Sequence, residues 1–149
     1  MIKQNLIFIN QPFRNRSEVI SFIASKADEA NLLTDQHEFI KTVLRRESEI
    51  STSIGYAIAI PHGKTDAVKE AFIAYATVKK PFEWDSDTKD RVKAIFLIGV
   101  PKKNTDKLHL KAISEVSKKL INDEFRKKLF DCETNEDAFS LLNSINREF

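Results

Sequence analysis

Three apolar runs of strand length lie in the middle of the chain, at residues 57–60, 71–78 and 92–100, and they limit what the sequence can fold into. Segments with the apolar spacing of helices lie on both sides of them. With a first strand expected at 6–10, the predicted order is strand, two helices, three strands, three helices. This order predicts an α/β domain with one central sheet and helices on both faces. Because the link between 71–78 and 92–100 need not contain a helix, those strands can pair antiparallel, which makes the sheet mixed.

Capping residues mark the starts of several predicted helices. Asp35 and Glu38 have the spacing of a capping box, with Asp35 in the cap role, ahead of a helix that buries Phe39. Asp123 and Thr134 are natural N-caps for the last two helices. The predicted helices are residues 16–33, a segment after Asp35 that ends near 44–49, and residues 106–121, 123–130 and 135–145.

The composition excludes several classes of protein. The chain has 149 residues, 42% hydrophobic and 31% charged, so we expect a single domain over residues 1–149 with a core of its own. The net charge of +2 is too small to indicate nucleic-acid binding. No apolar run has the length of a membrane span, no signal-peptide pattern is present, and one cysteine fits a reducing compartment. The sequence therefore predicts a cytoplasmic protein.

The sequence Ile60-Pro61-His62-Gly63 is the first candidate for chemistry. Pro61 fixes its own φ and forces Ile60 into an extended conformation, so residues 57–60 are expected to form a buried strand up to the proline. We expect Gly63 to let the chain turn away and to leave the His62 ring presented outward at the strand end. The alternative is an ordinary exposed histidine, since proline and glycine both mark turns.

The segment before this histidine, residues 45–55, favours an anionic ligand. It carries two arginines followed by serine and threonine hydroxyls. Guanidinium groups match phosphate oxygens, and hydroxyls add hydrogen-bond donors. The sequence contains no HExxH, CxxC or GxSxG motif and no nucleotide-binding glycine loop, so it predicts neither a metal nor a cofactor. An imidazole that itself becomes phosphorylated needs none of these.

The chain has two further histidines and one cysteine. His109 shares a helical stripe with apolar residues and lies in the first turn of its predicted helix, where the dipole favours a neutral imidazole and a bound anion. A core histidine bonded to backbone is the equal alternative for this residue. His37 is expected to be a solvated surface residue, and Cys132 a small, inert and partly buried one.

Two blocks of the sequence together resemble a known family. Residues 46–68 read RESEISTSIGYAIAIPHGKTDAV, and residues 92–120 contain an apolar strand followed by a histidine-leucine pair that opens a helix. Both blocks are similar to the fructose/mannitol-type IIA domain of the bacterial phosphoenolpyruvate-dependent sugar phosphotransferase system. The resemblance implies a single α/β domain with a mixed central sheet and helices on both sides. One departure is Tyr56-Ala57, where the family often has a second glycine.

The resemblance also implies a chemistry. His62 is the residue that takes a phosphoryl group from the carrier protein HPr, as a tele-phosphohistidine, and gives it to a IIB component. Arg46 stabilises the charge of the phosphoryl group, and His109 donates a hydrogen bond to it. The membrane component IIC is an indirect partner, and neither a metal nor a cofactor takes part.

The sequence leaves three functions open. The first is a phosphocarrier for sugar uptake, closer to the fructose branch than to the mannitol branch. The second is a regulatory module like the nitrogen-type IIA proteins, which act by phosphorylation-dependent protein binding. The third is a pure binding protein that keeps the fold, which the presence of His62, His109 and Arg46 together disfavours.

Overall fold

The computed structural model describes residues 1–103 and 107–149, which form six strands and five helices. The strands are β1 (Ile2–Gln11), β2 (Ser53–Gly55), β3 (Ile58–Ala59), β4 (His62–Lys64), β5 (Phe72–Glu83) and β6 (Arg91–Val100). The helices are α1 (Arg16–Glu29), α2 (Gln36–Glu49), α3 (Leu108–Leu120), α4 (Asp123–Phe130) and α5 (Asn135–Asn146). None of the helices in these described ranges is both long and apolar enough to cross a membrane.

The sheet is mixed, as predicted, but within the described residues it contains six strands where four were expected. The strand order is β1-β5-β6-β3-β2, and β4 also pairs with β6. The central pair, β5 and β6, is antiparallel, whereas β1 pairs with β5 in parallel and both β3 and β4 pair with β6 in parallel. Because Ile58 lies opposite Ala94 and His62 opposite Ile98, β3 and β4 follow the same neighbour in succession. They form one interrupted strand with its break at Ile60-Pro61.

Helices cover both faces of this sheet, and the alternation of side chains along β5 and β6 explains why. On one face Phe72, Ala74, Ile95 and Leu97 pack in a core with the apolar residues of α1 and α2. On the other face the alternate residues pack with α3, α4 and α5: Ile73, Tyr75, Phe96 and Ile98. A sheet with two buried faces requires the nearly continuous apolar runs that the sequence has.

The structure confirms two of the predicted helix caps and corrects the third. The side chains of Asp35 and Thr134 accept hydrogen bonds from backbone N–H groups of the first turns of α2 and α5. The cap of α4 is Asn122, whose Oδ1 accepts from the N–H of Phe125 at 2.8 Å, and Asp123 is already helical. Asparagine has the extended backbone that a cap needs, and the aspartate then favours the positive end of the helix. The predicted start of the α3 segment at 106 lies outside the described residues.

The predicted strand at 57–60 is shorter than expected. Gly55, the last residue of β2, has a φ of 81°, and Tyr56 and Ala57, with φ values of 57° and 63°, form the turn between β2 and β3. The prediction that Ala57 begins a buried strand is therefore wrong. Two residues with a Cβ atom occupy the left-handed region here, which costs roughly 1–2 kcal/mol for each.

Replacing Ala57 with glycine should raise the free energy of unfolding by about 1 kcal/mol, because glycine adopts a positive φ without this penalty. Urea unfolding measures the change. The matched control is Ala59→Gly, at a fully buried position in β3, which should destabilise the protein. If Ala57→Gly left the free energy unchanged or lowered it, the turn would not be strained.

Candidate functional site

His62 is the first residue of β4, and its ring is held by the chain that leads to it. The side chain is half-buried, and its Nδ1 lies 3.1 Å from the carbonyl oxygen of Ile60. A carbonyl oxygen can only accept, so Nδ1 carries the proton and donates it. This leaves the lone pair on Nε2, which no backbone group of residues 1–103 and 107–149 engages. The geometry prepares Nε2 to act as a nucleophile.

The surroundings of His62 keep the ring neutral. Burial, the largest effect, lowers the pKa of His62 below its usual value, and the positive charge of Arg46 lowers it further. The hydrogen bond to Ile60 and the negative charge of Glu47 act in the opposite direction. A neutral imidazole near neutral pH has the free electron pair that attack on an electrophile requires.

Gly63 has a different role from the one expected. It does not turn the chain away: it lies within β4, buried and opposite Gly99 of β6. A Cβ atom at Gly63 would stand 2.8 Å from Cγ2 of Val43 and 3.3 Å from Cε1 of Phe39, both on α2. The missing side chain thus lets α2 pack directly on the strand that carries His62. The prediction of a turn at this residue is wrong, and close packing is the reason for the glycine.

The close packing matters because the last turn of α2 carries Arg46. This side chain is half-buried, and its Nη1 donates a hydrogen bond to the carbonyl oxygen of Ile50 at 2.9 Å. Ile50 is the C-cap of the helix. The guanidinium group is therefore held at the end of α2 with its remaining N–H groups available to a ligand.

His109 reaches the same place from the other face of the sheet. It is half-buried and is the second residue of α3, so it lies in the first turn, as predicted. The backbone N–H groups of that turn and the helix dipole create a positive potential beside its ring. The stripe that it shares continues into the core through Val116 and Leu120.

Two adjacent depressions meet at these three residues. One has a volume of about 220 Å³ and is lined by Thr42, Arg45, Arg46, Glu49, His62, Gly63, Lys64 and His109. The other has a volume of about 370 Å³ and is lined by Arg46, Ser51, Thr52, Ile54, Ile60, His62, His109, Leu110 and Ile113. Arg46, His62 and His109 line both. The first depression is rich in cations, whereas the second has an apolar rim.

A comparison with models of protein families decides the assignment. Residues 1–145 match the family described as phosphoenolpyruvate-dependent sugar phosphotransferase system, EIIA 2. The chain belongs to this family. This match confirms the resemblance found in residues 46–68 and 92–120. EIIA domains are phosphotransferase components.

Individual EIIA relatives match over nearly all of this chain. It is 29% identical over 140 residues to the fructose-specific EIIA component of Haloferax volcanii. That alignment covers 94% of this chain and 90% of the relative. It is also 29% identical over 141 residues to the 2-O-alpha-mannosyl-D-glycerate-specific EIIABC component of Escherichia coli. That match covers 94% of this chain but 21% of the relative, so the chain spans about a fifth of that longer protein.

Solved structures share the fold of this EIIA chain. The nitrogen regulatory protein IIA-Ntr from Neisseria meningitidis superposes with a TM-score of 0.85 at 23% identity, over 95% of each chain. The mannitol enzyme IIA of Escherichia coli, in its complex with phosphorylated mannitol enzyme IIB, gives a TM-score of 0.80 at 18% identity. That match covers 97% of this chain and 99% of the other. At these identities the likeness shows the α/β fold.

The serine and threonine hydroxyl groups before β3 were expected to donate hydrogen bonds to a bound anion, but they donate to carboxylates of the protein. Ser51 donates to Oδ2 of Asp85 at 2.5 Å, Ser53 donates to Oδ2 of Asp90 at 2.8 Å, and the hydroxyl of Thr52 donates to a carboxylate of α2. A hydroxyl has one proton to give, so these three are committed to carboxylates. The prediction that they add donors for a phosphoryl group is wrong. Their role is to fix the backbone between α2 and β2.

The remaining candidates lie outside both depressions. His37 is exposed in the first turn of α2, as predicted. Cys132 is half-buried, burial raises the pKa of its thiol, and the nearby charges of Asp137 and Asp131 raise it further, which fits an inert residue. Within the described parts of the chain, no group of three or more histidine, cysteine and acidic side chains could hold a metal ion.

Sequence reasoning missed several residues that line the site. Lys64 adds positive charge to the smaller depression, beside the Arg45 that the sequence did indicate, and the exposed Ile54 and Leu110 form the apolar rim of the larger one. Lys64 follows the histidine-glycine pair directly, so its place two residues after His62 in a strand could have indicated it.

Proposed function

We propose that this chain is a phosphocarrier of the sugar phosphotransferase system that accepts a phosphoryl group from phospho-HPr on Nε2 of His62. The observation that supports this most directly is the hydrogen bond from Nδ1 of His62 to the carbonyl oxygen of Ile60. It assigns the proton to Nδ1 and the lone pair to the other nitrogen. Membership of the EIIA family supplies the reaction class.

The transfer is a single displacement at phosphorus. The lone pair on Nε2 of His62 forms the new N–P bond while the N–P bond of the donor phosphohistidine breaks, and its electron pair returns to the donor imidazole. The proton on Nδ1 stays on the hydrogen bond to Ile60. Both sides of the exchange are phosphohistidines, so the step is nearly isoenergetic and reversible. The protein contributes mainly positioning and charge stabilisation.

Arg46 and His109 stabilise the transferred group. The free N–H groups of the Arg46 guanidinium act on the equatorial oxygens, where negative charge is spread in the transition state. His109 donates a hydrogen bond from the first turn of α3, where the helix dipole adds to the favourable potential. Both side chains line the two depressions that meet at His62.

The phosphoryl group then passes to a IIB component, and through it to a sugar bound at the membrane component IIC. The complex of the Escherichia coli mannitol enzyme IIA with phosphorylated enzyme IIB supports an acceptor of this kind. The fructose-specific relative supports the fructose branch. We place the exchange in the cytoplasm, in keeping with the single cysteine.

The test is incubation with phosphoenolpyruvate, enzyme I and HPr, followed by intact mass measurement and then addition of a fructose-type IIB domain. We expect one phosphoryl group, stable to base and labile to acid, that IIB removes. Absence of phosphorylation would refute the phosphocarrier function. Phosphorylation without transfer to IIB would favour the regulatory module.

Replacing Arg46 with glutamine should slow transfer from phospho-HPr by about tenfold, since glutamine keeps a donor but loses the charge. The melting temperature should change by only a few degrees, because among the described residues the half-buried side chain makes one hydrogen bond, to Ile50. Arg46→Lys should restore the rate only in part, because an ammonium group has the charge but not the planar, bidentate donors of a guanidinium group. Rapid-quench kinetics measure the rate, with Arg147→Gln at the end of α5 as the charge control. An unchanged rate with a large loss of stability would make Arg46 structural.

A further inference from the structure

Glu47, the residue after Arg46, has a buried carboxylate with three donors around it. The residue is 3% exposed. Its Oε2 accepts the backbone N–H of Thr52 at 3.1 Å and the indole N–H of Trp84 at 3.1 Å, and its Oε1 accepts the hydroxyl proton of Thr52. Two of the three donors belong to one residue of the segment between α2 and β2. Glu47 therefore fixes both the backbone and the side chain of Thr52.

A continuous series of hydrogen bonds leads from Glu47 to the ring of His62. The carbonyl oxygen of Thr52 accepts the backbone N–H of Ile60 at 3.1 Å. The carbonyl oxygen of Ile60 in turn accepts the Nδ1 proton of His62 at 3.1 Å. Thr52 and Ile60 each donate through the peptide plane before their Cα and accept through the plane after it, so a bond that holds one plane restrains the residue that carries the next bond. The orientation of the His62 ring thus depends on where Thr52 is held.

The same segment holds Arg46. The carbonyl oxygen that accepts from its Nη1 belongs to Ile50, two residues before Thr52. The segment 50–52 is joined to α2 at one end and is fixed by Glu47 at the other. A shift of Thr52 would therefore displace the partner of the guanidinium group together with that of the imidazole.

We propose that Glu47 is a positioning residue for phosphoryl transfer, which orients both His62 and Arg46 by fixing the segment 50–52. The inference rests on the proposed phosphocarrier function. Two neighbouring pairs, Ser51–Asp85 within the segment and Ser53–Asp90 directly after it, hold this part of the chain to the β5–β6 turn, but Ser53 is not part of the series of bonds that ends at His62.

The test compares Thr52→Val with Ser53→Ala. Valine keeps the shape of threonine and the backbone N–H but loses the hydroxyl bond to Glu47, whereas Ser53→Ala removes the adjacent hydroxyl–carboxylate pair. We expect Thr52→Val to lower kcat for phosphorylation by phospho-HPr about 10–100-fold with KM unchanged. Ser53→Ala should stay within twofold, and Thr52→Ser should restore the rate. Equal effects of Thr52→Val and Ser53→Ala would overturn the proposal.

A second readout does not depend on transfer. In the unphosphorylated protein, NMR of the histidine ring nitrogens reports which nitrogen of His62 carries the proton. We expect a proton on Nδ1 in the natural chain and in Ser53→Ala, and a mixture of the two neutral forms in Thr52→Val. An unchanged ring signal in Thr52→Val would overturn the proposal. This measurement needs no phosphoryl donor. If the natural chain failed to accept a phosphoryl group, that result would therefore refute the phosphocarrier function and leave the positioning of His62 by Glu47 to be decided by the ring signals.

Glu47→Gln extends the test. It replaces one accepting oxygen of the carboxylate with an NH2 group, which donates and so cannot accept from the N–H and O–H groups of Thr52 and Trp84. We expect the same loss of kcat as in Thr52→Val, or a larger one. If these variants fail to fold, amide hydrogen exchange in the natural chain still tests whether the hydrogen bonds of Thr52 and Ile60 are held. The N–H groups of Thr52 and Ile60 should exchange slowly, as buried and bonded groups do, and rapid exchange of both would overturn the proposal.

Discussion

Replacing His62 with alanine should abolish phosphorylation of this protein by phosphoenolpyruvate, enzyme I and HPr. Within the described parts of the chain, His62 has the ring whose Nδ1 the backbone engages, so that Nε2 carries the lone pair beside the guanidinium of Arg46. The half-buried side chain is removed from a rim rather than from the core, so the fold should survive. Intact mass measurement after long incubation gives the extent of phosphorylation.

His37→Ala is the matched control, because it removes an exposed histidine from the first turn of α2. That variant should accept one phosphoryl group at the rate of the natural chain. A phosphorylated His62→Ala protein, or modification mapped to Cys132 or to a hydroxyl group, would show that the acceptor has been assigned wrongly.

Replacing His109 with alanine should slow transfer about 10²–10³-fold, the usual effect of losing one preorganised donor to a charged transition state. The protein should still become fully phosphorylated on long incubation, because His109 stabilises the group and does not carry it. Single-turnover kinetics with phospho-HPr separate the rate from the final extent.

His109→Gln is the informative companion, since an amide keeps a donor of similar reach and should lose less activity than alanine. Two results would contradict the assigned role. Complete failure of His109→Ala to become phosphorylated would make the residue an obligatory participant. An unchanged rate would return it to a histidine that serves the packing of α3.

The fold class follows from the sequence because nearly continuous apolar runs of strand length, with helical patterns on both sides of them, are typical of strands buried between two layers of helices. β5 and β6 show this: their alternate residues supply both cores. β2 and β4 were not predicted, because strands of three residues show no periodicity and Pro61 is typical of a strand end. β4 exists because β6 extends far enough to pair with the chain beyond the proline.

The site was predictable in its residue types but not in its connections. The pattern around His62 indicates an imidazole held by the backbone, and the arginine before it indicates an anion. The partners of Ser51 and Ser53 were not predictable, because Asp85 and Asp90 lie 34 and 37 residues away and meet them only through the pairing of β2, β3 and β6. The role of Gly63 depends equally on a distant contact, with Val43.

The proposed mechanism depends on one assignment, that Nε2 of His62 carries the phosphoryl group while Nδ1 keeps its proton on the carbonyl oxygen of Ile60. NMR of the ring nitrogens in the phosphorylated protein tests it most directly, because the two nitrogens of a phosphohistidine differ in chemical shift. We expect a phosphorus-bound Nε2 and a protonated Nδ1 on His62, with the rings of His37 and His109 unmodified. Phosphorus bound to Nδ1 of His62, or to any other side chain, would contradict it.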